Sequence, residues 1–170
     1  MPATSELERL YHDHAQALFA FLLNFTRHET DTRDVLQEVF VKLAQRPELL
    51  KSVRDERAFL IRLAHHQAID LLRRRSSRDR TNERLSRELI NIFAPSDDPD
   101  EDALRAAISA ALADLPPEQR AVVHLKLWEG LTFDAIAEAL SIPPNTAASR
   151  YRYGLDKMRE RLRPLYDEIK

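Results

Sequence analysis

The chain has 170 residues, 44% hydrophobic and 32% charged, a balance that fits a soluble helical protein of one domain or two small ones. Its 2 glycines are too few for a strand-and-turn architecture or a glycine-rich phosphate loop. With 0 cysteines, disulfides and thiolate metal sites are excluded, which suits a reducing, cytoplasmic setting. A formal net charge of -2 argues against coating nucleic acid by bulk electrostatics. Neither a run of ~20 apolar residues nor a basic-then-apolar leader is present, so membrane insertion is not expected.

The charge is unevenly placed. Arg73, Arg74, Arg75, Arg78 and Arg80 form a basic run, and Asp97, Asp98, Asp100, Glu101 and Asp102 an acidic one. Arg150, Arg152, Lys157, Arg159, Arg161 and Arg163 form a second basic cluster. Basic patches on a near-neutral whole point to DNA binding that depends on a partner.

In chain order, Ser5 and Glu8 have the spacing of a capping box, after which Leu7, Leu10, Tyr11, Leu18, Leu22 and Phe25 recur at helical spacing. Thr30-Asp31-Thr32 is expected to break this helix and cap the next. The second carries Val35, Leu36, Val39, Phe40 and Leu43 and must stop before Pro47. A third runs from about Asp55 through Phe59, Leu60, Leu63, Leu71 and Leu72 into the arginines, completing a small bundle. The arginine-rich and then apolar stretch through Leu89, Ile90, Ile92 and Phe93 ends in Ala94-Pro95-Ser96-Asp97-Asp98-Pro99, which reads as a flexible linker. The expected division is therefore all-α: a helical domain over 1–76, a linker over 77–101 and a second helical domain over 102–170.

In the second domain, Leu104, Ile108, Ala111 and Leu112 mark a fourth helix, stopped by Leu115-Pro116-Pro117. Pro117 suits the first turn of a fifth helix, with Val122, Val123 and Leu127, ending at Gly130 as its C′ residue. Thr132 caps a short helix containing Phe133, Ile136, Ala137 and Leu140. Ser141-Ile142-Pro143-Pro144 makes the turn, and Asn145 or Thr146 is expected to cap a final helix through Leu162. A short helix, a tight turn and a capped helix bearing arginines is the plan of a DNA-reading helix-turn-helix, here 132–153. Burying Ala147, Tyr151, Leu155, Met158 and Leu162 leaves Asn145, Thr146, Ala148, Ser149, Arg150, Arg152 and Tyr153 on other faces. The helix N-terminus can then enter a major groove, where one bidentate arginine contact to guanine is worth roughly 1–3 kcal/mol of discrimination.

Three stretches, taken together, resemble the extracytoplasmic-function (ECF) group of bacterial RNA polymerase sigma factors. They are Asp34-Val35-Leu36-Gln37-Glu38-Val39-Phe40, the arginine-flanked run from Arg57 to Arg75, and the segment from Leu115 to Arg161. The resemblance implies that Asp34, Gln37, Glu38 and Phe40 dock on core RNA polymerase; Asp34 and Glu38, at i and i+4, would present an acidic patch to a basic partner. It implies that Arg62, His65, His66, Asp70, Arg73 and Arg74 meet the melted −10 element of promoter DNA, with the loop from Leu50 to Asp55 lining a pocket for a displaced base. It implies that the helix-turn-helix reads the −35 element and that an anti-sigma factor is a partner. This sequence has Phe59 where the family often has Trp, His65-His66 for Arg-Asn, Ala148 for a basic residue, and Tyr153-Gly154 for Arg-Ala.

Other chemistry is poorly supported. His12 and His14 point roughly 200° apart on a helix, and His66 with Asp70 lacks a third ligand, so no metal or other cofactor is expected. Ser149 has no partnered base, and Trp128 reads as an anchor between helices. Two rival readings are a dimeric stand-alone helix-turn-helix regulator and an interaction protein without DNA binding. The sigma reading differs in predicting weak binding to duplex DNA alone, because two small footprints gain avidity only when polymerase fixes their spacing.

Overall fold

The computed structural model describes residues 2–75 and 96–169. The expectations for Ser76, Arg78, Arg80 and the Leu89–Phe93 patch lie outside them. The described residues form α1 (Pro2–Thr26), α2 (Glu29–Gln45), a 3-10 turn (Pro47–Leu50), α3 (Glu56–Arg75), α4 (Pro99–Ala113), α5 (Pro117–Leu127), α6 (Phe133–Leu140) and α7 (Pro144–Ile169). No strand occurs among them, and no helix is long and apolar enough to cross a membrane.

Several boundaries differ from the sequence pattern. α1 already runs from Pro2, so Ser5 stands inside the helix instead of capping it. α2 starts at Glu29, where His28 is the cap and its Nδ1 accepts from the Asp31 N–H at 3.3 Å. Thr30, Asp31 and Thr32 lie in the first turn. Asp31 is buried and takes Arg75 from the end of α3, while Thr32 Oγ1 lies 2.8 Å from Thr26 Oγ1. α4 begins at Pro99, with Asp98 accepting from the Asp100 N–H at 2.9 Å, so the last residues of the expected linker are helical. Gly130 takes φ 63 three residues past the end of α5, and the Leu131 N–H reaches back to the Leu125 carbonyl at 3.1 Å. α7 begins at Pro144, ahead of Asn145 and Thr146, and continues through Pro164 to Ile169. Pro164 has no N–H to offer the Glu160 carbonyl, and Glu160 lies on the exposed side of the helix, where a carbonyl without an intrahelical donor is tolerated.

The core explains why these helices assemble. Val35, Val39 and Leu43 line the inner face of α2, opposite Leu10, Leu18, Phe21 and Leu22 of α1 and Leu60, Ile61, Ala64 and Ala68 of α3. Each fully buried Leu, Val or Phe of this set contributes roughly 1.5–3 kcal/mol. The same continuous core takes in Ala121, Val122, Leu125, Leu131, Ile136, Ala137, Leu140 and Ala147 of the C-terminal half. The two halves therefore share one apolar interior, with α5 against α1 and α6 against α3. A second, smaller cluster joins Ala111, Leu112, Leu115, Val123 and Met158, holding α4, α5 and α7 together.

Candidate nucleic-acid interface

The helix-turn-helix is built as its sequence requires. Thr132 Oγ1 accepts from the Ala135 N–H at 3.1 Å, opening α6, and Ser141 ends it at φ 57 in the left-handed region. That backbone conformation costs about 1–3 kcal/mol for a residue with a side chain. It is held by the Ser141 and Ile142 N–H groups, which bond carbonyls at the end of α6. Ala137, only 5% exposed, lets the helices cross closely, and half-buried Ile142 packs on the core. At Gly154 a Cβ would stand 2.7 Å from Val123 Cγ2, so α7 and α5 touch almost backbone to side chain.

At the start of α7, Asn145, Arg152 and Tyr153 are exposed, and Thr146, Ala148, Ser149 and Arg150 are half-buried. The first N–H groups of this helix lack intrahelical acceptors and favour an anion such as phosphate. Ser149 donates its hydroxyl to the Asn145 carbonyl at 2.8 Å, which occupies it within the helix. The Arg152 guanidinium lies over the Tyr153 ring, 5.2 Å from its centroid.

On α3, Arg62, His66, Asp70, Arg73 and Arg74 are exposed, and Asp55 opens the helix by accepting from the Ala58 N–H at 3.1 Å. His65 differs from its neighbours. It is 8% exposed and packs edge-on to Phe25 at 5.2 Å, facing into the protein. Burial, reinforced by nearby His66 and Arg150, pushes its imidazole down to about 4, so it is neutral at physiological pH. Arg75, last of the described arginines of this run, is directed to Asp31.

On α2, Asp34, Gln37 and Glu38 are exposed on the face opposite Val35, Val39 and Leu43. Phe40 is half-buried beside them, edge-on to Tyr11 at 5.0 Å. Tyr11, 54% exposed, and Phe40 line an open apolar groove of about 620 Å³ with Leu7, Leu36 and Val41, and Gln37 stands at its rim. Tyr11 is legible in the sequence only as one member of the apolar stripe of α1.

Neither pattern nor resemblance marks the polar groups between the halves. Arg120, 6% exposed, donates from Nη2 to the Phe25 carbonyl at 2.8 Å and from Nη1 to the carbonyls of Ala113 and Leu115. Burial and nearby Arg27 push its guanidinium down to about 10, and it remains cationic. Asn24 Oδ1 accepts from Arg27 at 3.3 Å, which turns its amide nitrogen toward His124 Nδ1 at 3.2 Å. His124 Nδ1 is thereby an acceptor, and burial holds the ring at about 4. Arg57 of α3 pairs with Glu129, just beyond α5. Arg120 and His124 stand four residues apart and so share one face of α5, but Glu118, Gln119 and Lys126 on the same helix keep that spacing from singling them out.

Residues 10–78 match the family model for Sigma-70 region 2, and residues 105–158 that for Sigma-70, region 4. The chain is 31% identical over 168 residues to the ECF RNA polymerase sigma factor SigL of Mycobacterium tuberculosis, covering 94% of this chain and 90% of that relative. The chain belongs to the ECF RNA polymerase sigma factors. Similarity to the ECF sigma factor SigX of Bacillus subtilis is 27% identity, covering 94% of this sigma factor and 85% of SigX. Among solved structures, the fold is shared with the sigma factor RpoE in complex with the anti-sigma factor NepR from Bartonella quintana. The TM-score is 0.75 at 18% identity, covering 94% of this chain and 96% of that one. A sigma factor performs no reaction of its own; it directs RNA polymerase to promoters, here through regions 2 and 4.

Proposed function

We propose a division of labour for this sigma factor, with polymerase docking and promoter melting in residues 1–76, a linker over 77–101 and duplex reading in 102–170. Asp34, Gln37 and Glu38, with Phe40 and the adjoining groove, dock on a basic and partly apolar surface of core RNA polymerase. Arg62, His66, Asp70, Arg73 and Arg74 meet the −10 element, and His65 supports that helix from beneath until it is uncovered. Asn145, Thr146, Ala148, Ser149, Arg150, Arg152 and Tyr153 face the −35 element, with phosphate gathered at the start of α7. The protein works in the cytoplasm, where its polymerase and DNA are. An anti-sigma factor is a further partner, a reading supported by the solved complexes of RpoE with NepR and of CnrH with the cytosolic domain of CnrY.

The observation that carries this reading is α2, which spends its apolar residues on the core and leaves Asp34, Gln37 and Glu38 outward on one face. Size-exclusion co-elution with core polymerase tests it. The native chain should co-elute, and the Asp34→Lys/Glu38→Lys variant, with its charge reversed on a face remote from the core, should not. Equal co-elution of both would place docking elsewhere.

A further inference from the structure

Asp31 is a carboxylate folded into the protein. It is 5% exposed and shares the inner face of α2 with Val35 and Val39. Asp34, Gln37 and Glu38 point outward one and two turns further along the same helix. The turn that presents Asp31 is held by its own hydrogen bonds. Arg27 takes φ 57, Thr32 Oγ1 donates to the His28 carbonyl at 2.9 Å, and Thr26 Oγ1 lies 2.8 Å from Thr32 Oγ1. His28 Nδ1 stands 3.4 Å from the Asp31 carboxylate, but it accepts the Asp31 backbone N–H and has no proton to give there. Among the described residues, the partner from elsewhere in the fold is Arg75, 44 positions later in the last turn of α3. A buried carboxylate is stable only when paired, so the two side chains fix each other's place.

Arg73, Arg74 and Arg75 share the last turn of α3, and a helix end opens first unless it is tied. At roughly 100° per residue, turning Arg75 toward α2 sets Arg74 about 100° away and Arg73 about 200° away. Both are exposed, whereas Arg75 is half-buried. Holding Arg75 therefore determines the direction in which Arg73 and Arg74 are presented. A displaced strand is followed through its phosphates by cations arranged in this way.

We propose that Asp31 is a positioning residue for promoter melting: by holding Arg75 it anchors the last turn of α3 and sets Arg73 and Arg74 against the melted strand. Asp31, being buried, does not reach DNA itself, and Arg75 serves inside the protein and leaves strand contact to its neighbours. The anchor stands on the docking helix, so the outward face of α2 and the DNA-facing end of α3 keep one fixed geometry. The proposal rests on the assignment of Arg73 and Arg74 to the −10 element.

Holoenzyme is assembled from core polymerase with the parent, Asp31→Asn, Arg75→Gln, both together, Arg75→Lys, and Arg73→Ala/Arg74→Ala. The template is a promoter whose start site has been mapped with this protein, carrying 2-aminopurine in the −10 element, which brightens as the strands part. Asp31→Asn and Arg75→Gln should each slow strand opening about tenfold, with core affinity, closed-complex affinity and circular dichroism unchanged. Combining them should slow opening no further, because both remove one contact. Arg75→Lys keeps the ion pair and should recover most of the rate. Slow opening in Arg75→Gln but not in Asp31→Asn would put Arg75 on the DNA and overturn the proposal. Additive losses in the combined variant, or parental opening in both single variants, overturn it equally. Loss of core binding or helix content in Asp31→Asn would make the residue a folding element only, which also overturns it. Parental opening by Arg73→Ala/Arg74→Ala overturns the assignment of those arginines to the −10 element, and the positioning role with it.

Discussion

Acidification from about pH 7.5 to about pH 5.5 should weaken the closed fold through two buried histidines. In the folded chain His65 and His124 are each held at about 4, with burial the leading cause, whereas an exposed histidine titrates near 6.5. The unfolded chain therefore binds protons that the folded chain refuses. Stability is full above about 6.5 and is lost progressively as pH falls toward 4. At pH 5.5 the difference is about tenfold per histidine, or roughly 1.3 kcal/mol each and ~2.7 kcal/mol together. Glu56 and Glu101, held below the ordinary carboxylate range, titrate outside this window. The groups facing His65 are His66 and Arg150, both of which disfavour its cation. His124 faces Asn24, and its Nε2 is 3.9 Å from Glu129, a carboxylate already engaged by Arg57. Protonated His124 would turn an Nδ1–H toward the Asn24 amide, donor against donor. Asn24→Asp replaces that clash with an acceptor while keeping an oxygen for Arg27, so it should reduce the loss, although burial of His124 remains. Urea unfolding at both pH values, followed by circular dichroism, measures it. An identical pH dependence in parent and Asn24→Asp would refute the seam chemistry described for His124.

The remaining expectations are separate. Gly154→Ala gains up to ~1 kcal/mol of helix propensity but drives a methyl into the stiff, fully buried Val123, at a cost of about 1–3 kcal/mol. It should be neutral to destabilising alone and stabilising in a Val123→Ala background, and purely additive thermal shifts would contradict the contact. Arg120→Met leaves the carbonyls of Phe25, Ala113 and Leu115 without their shared donor and should cost about 2–4 kcal/mol by denaturant titration; a loss under ~1 kcal/mol would show that those contacts are not made in solution. Arg150→Ala and Arg152→Ala should reduce promoter-directed transcription and lower its salt slope by about one per phosphate contact removed, while core co-elution is unchanged. An unaltered salt slope in both variants would place DNA contact elsewhere on α7.

What can be seen in the sequence follows the range of the interactions concerned. Periodicity locates the helices because Val35, Val39 and Leu43, or Ala147 and Met158, must share a face to be buried, a local requirement. Pro117, Thr132 and the Ser141–Pro144 turn are legible for the same reason, since each acts within four residues. Helix starts are less so. Ser5–Glu8 has the spacing of a cap, yet the helix continues before it, and Thr30–Thr32 cedes the capping role to His28 because Asp31 and Thr32 are taken up by Arg75 and Thr26. The candidate residues on α2 and α3 come from family resemblance and those on α7 from helical spacing; Asp34, Gln37, Glu38, Arg62 and Arg152 are exposed. The seam is not readable beforehand. Arg120 and His124 look like any other polar residues of α5 until Phe25 and Asn24, 95 and 100 positions earlier, are set opposite them. His65, which resemblance placed toward DNA, is covered by that same packing.

Promoter direction is tested most directly by transcription from fragmented genomic DNA of the source organism by its core polymerase, with and without this protein, mapping the 5′ ends of the transcripts. Discrete new start sites should share two upstream elements, appear only when the protein is added, and vanish with the Asp34→Lys/Glu38→Lys variant. Start sites identical to those of core alone, with protein shown to be folded and bound to polymerase, would contradict the assignment.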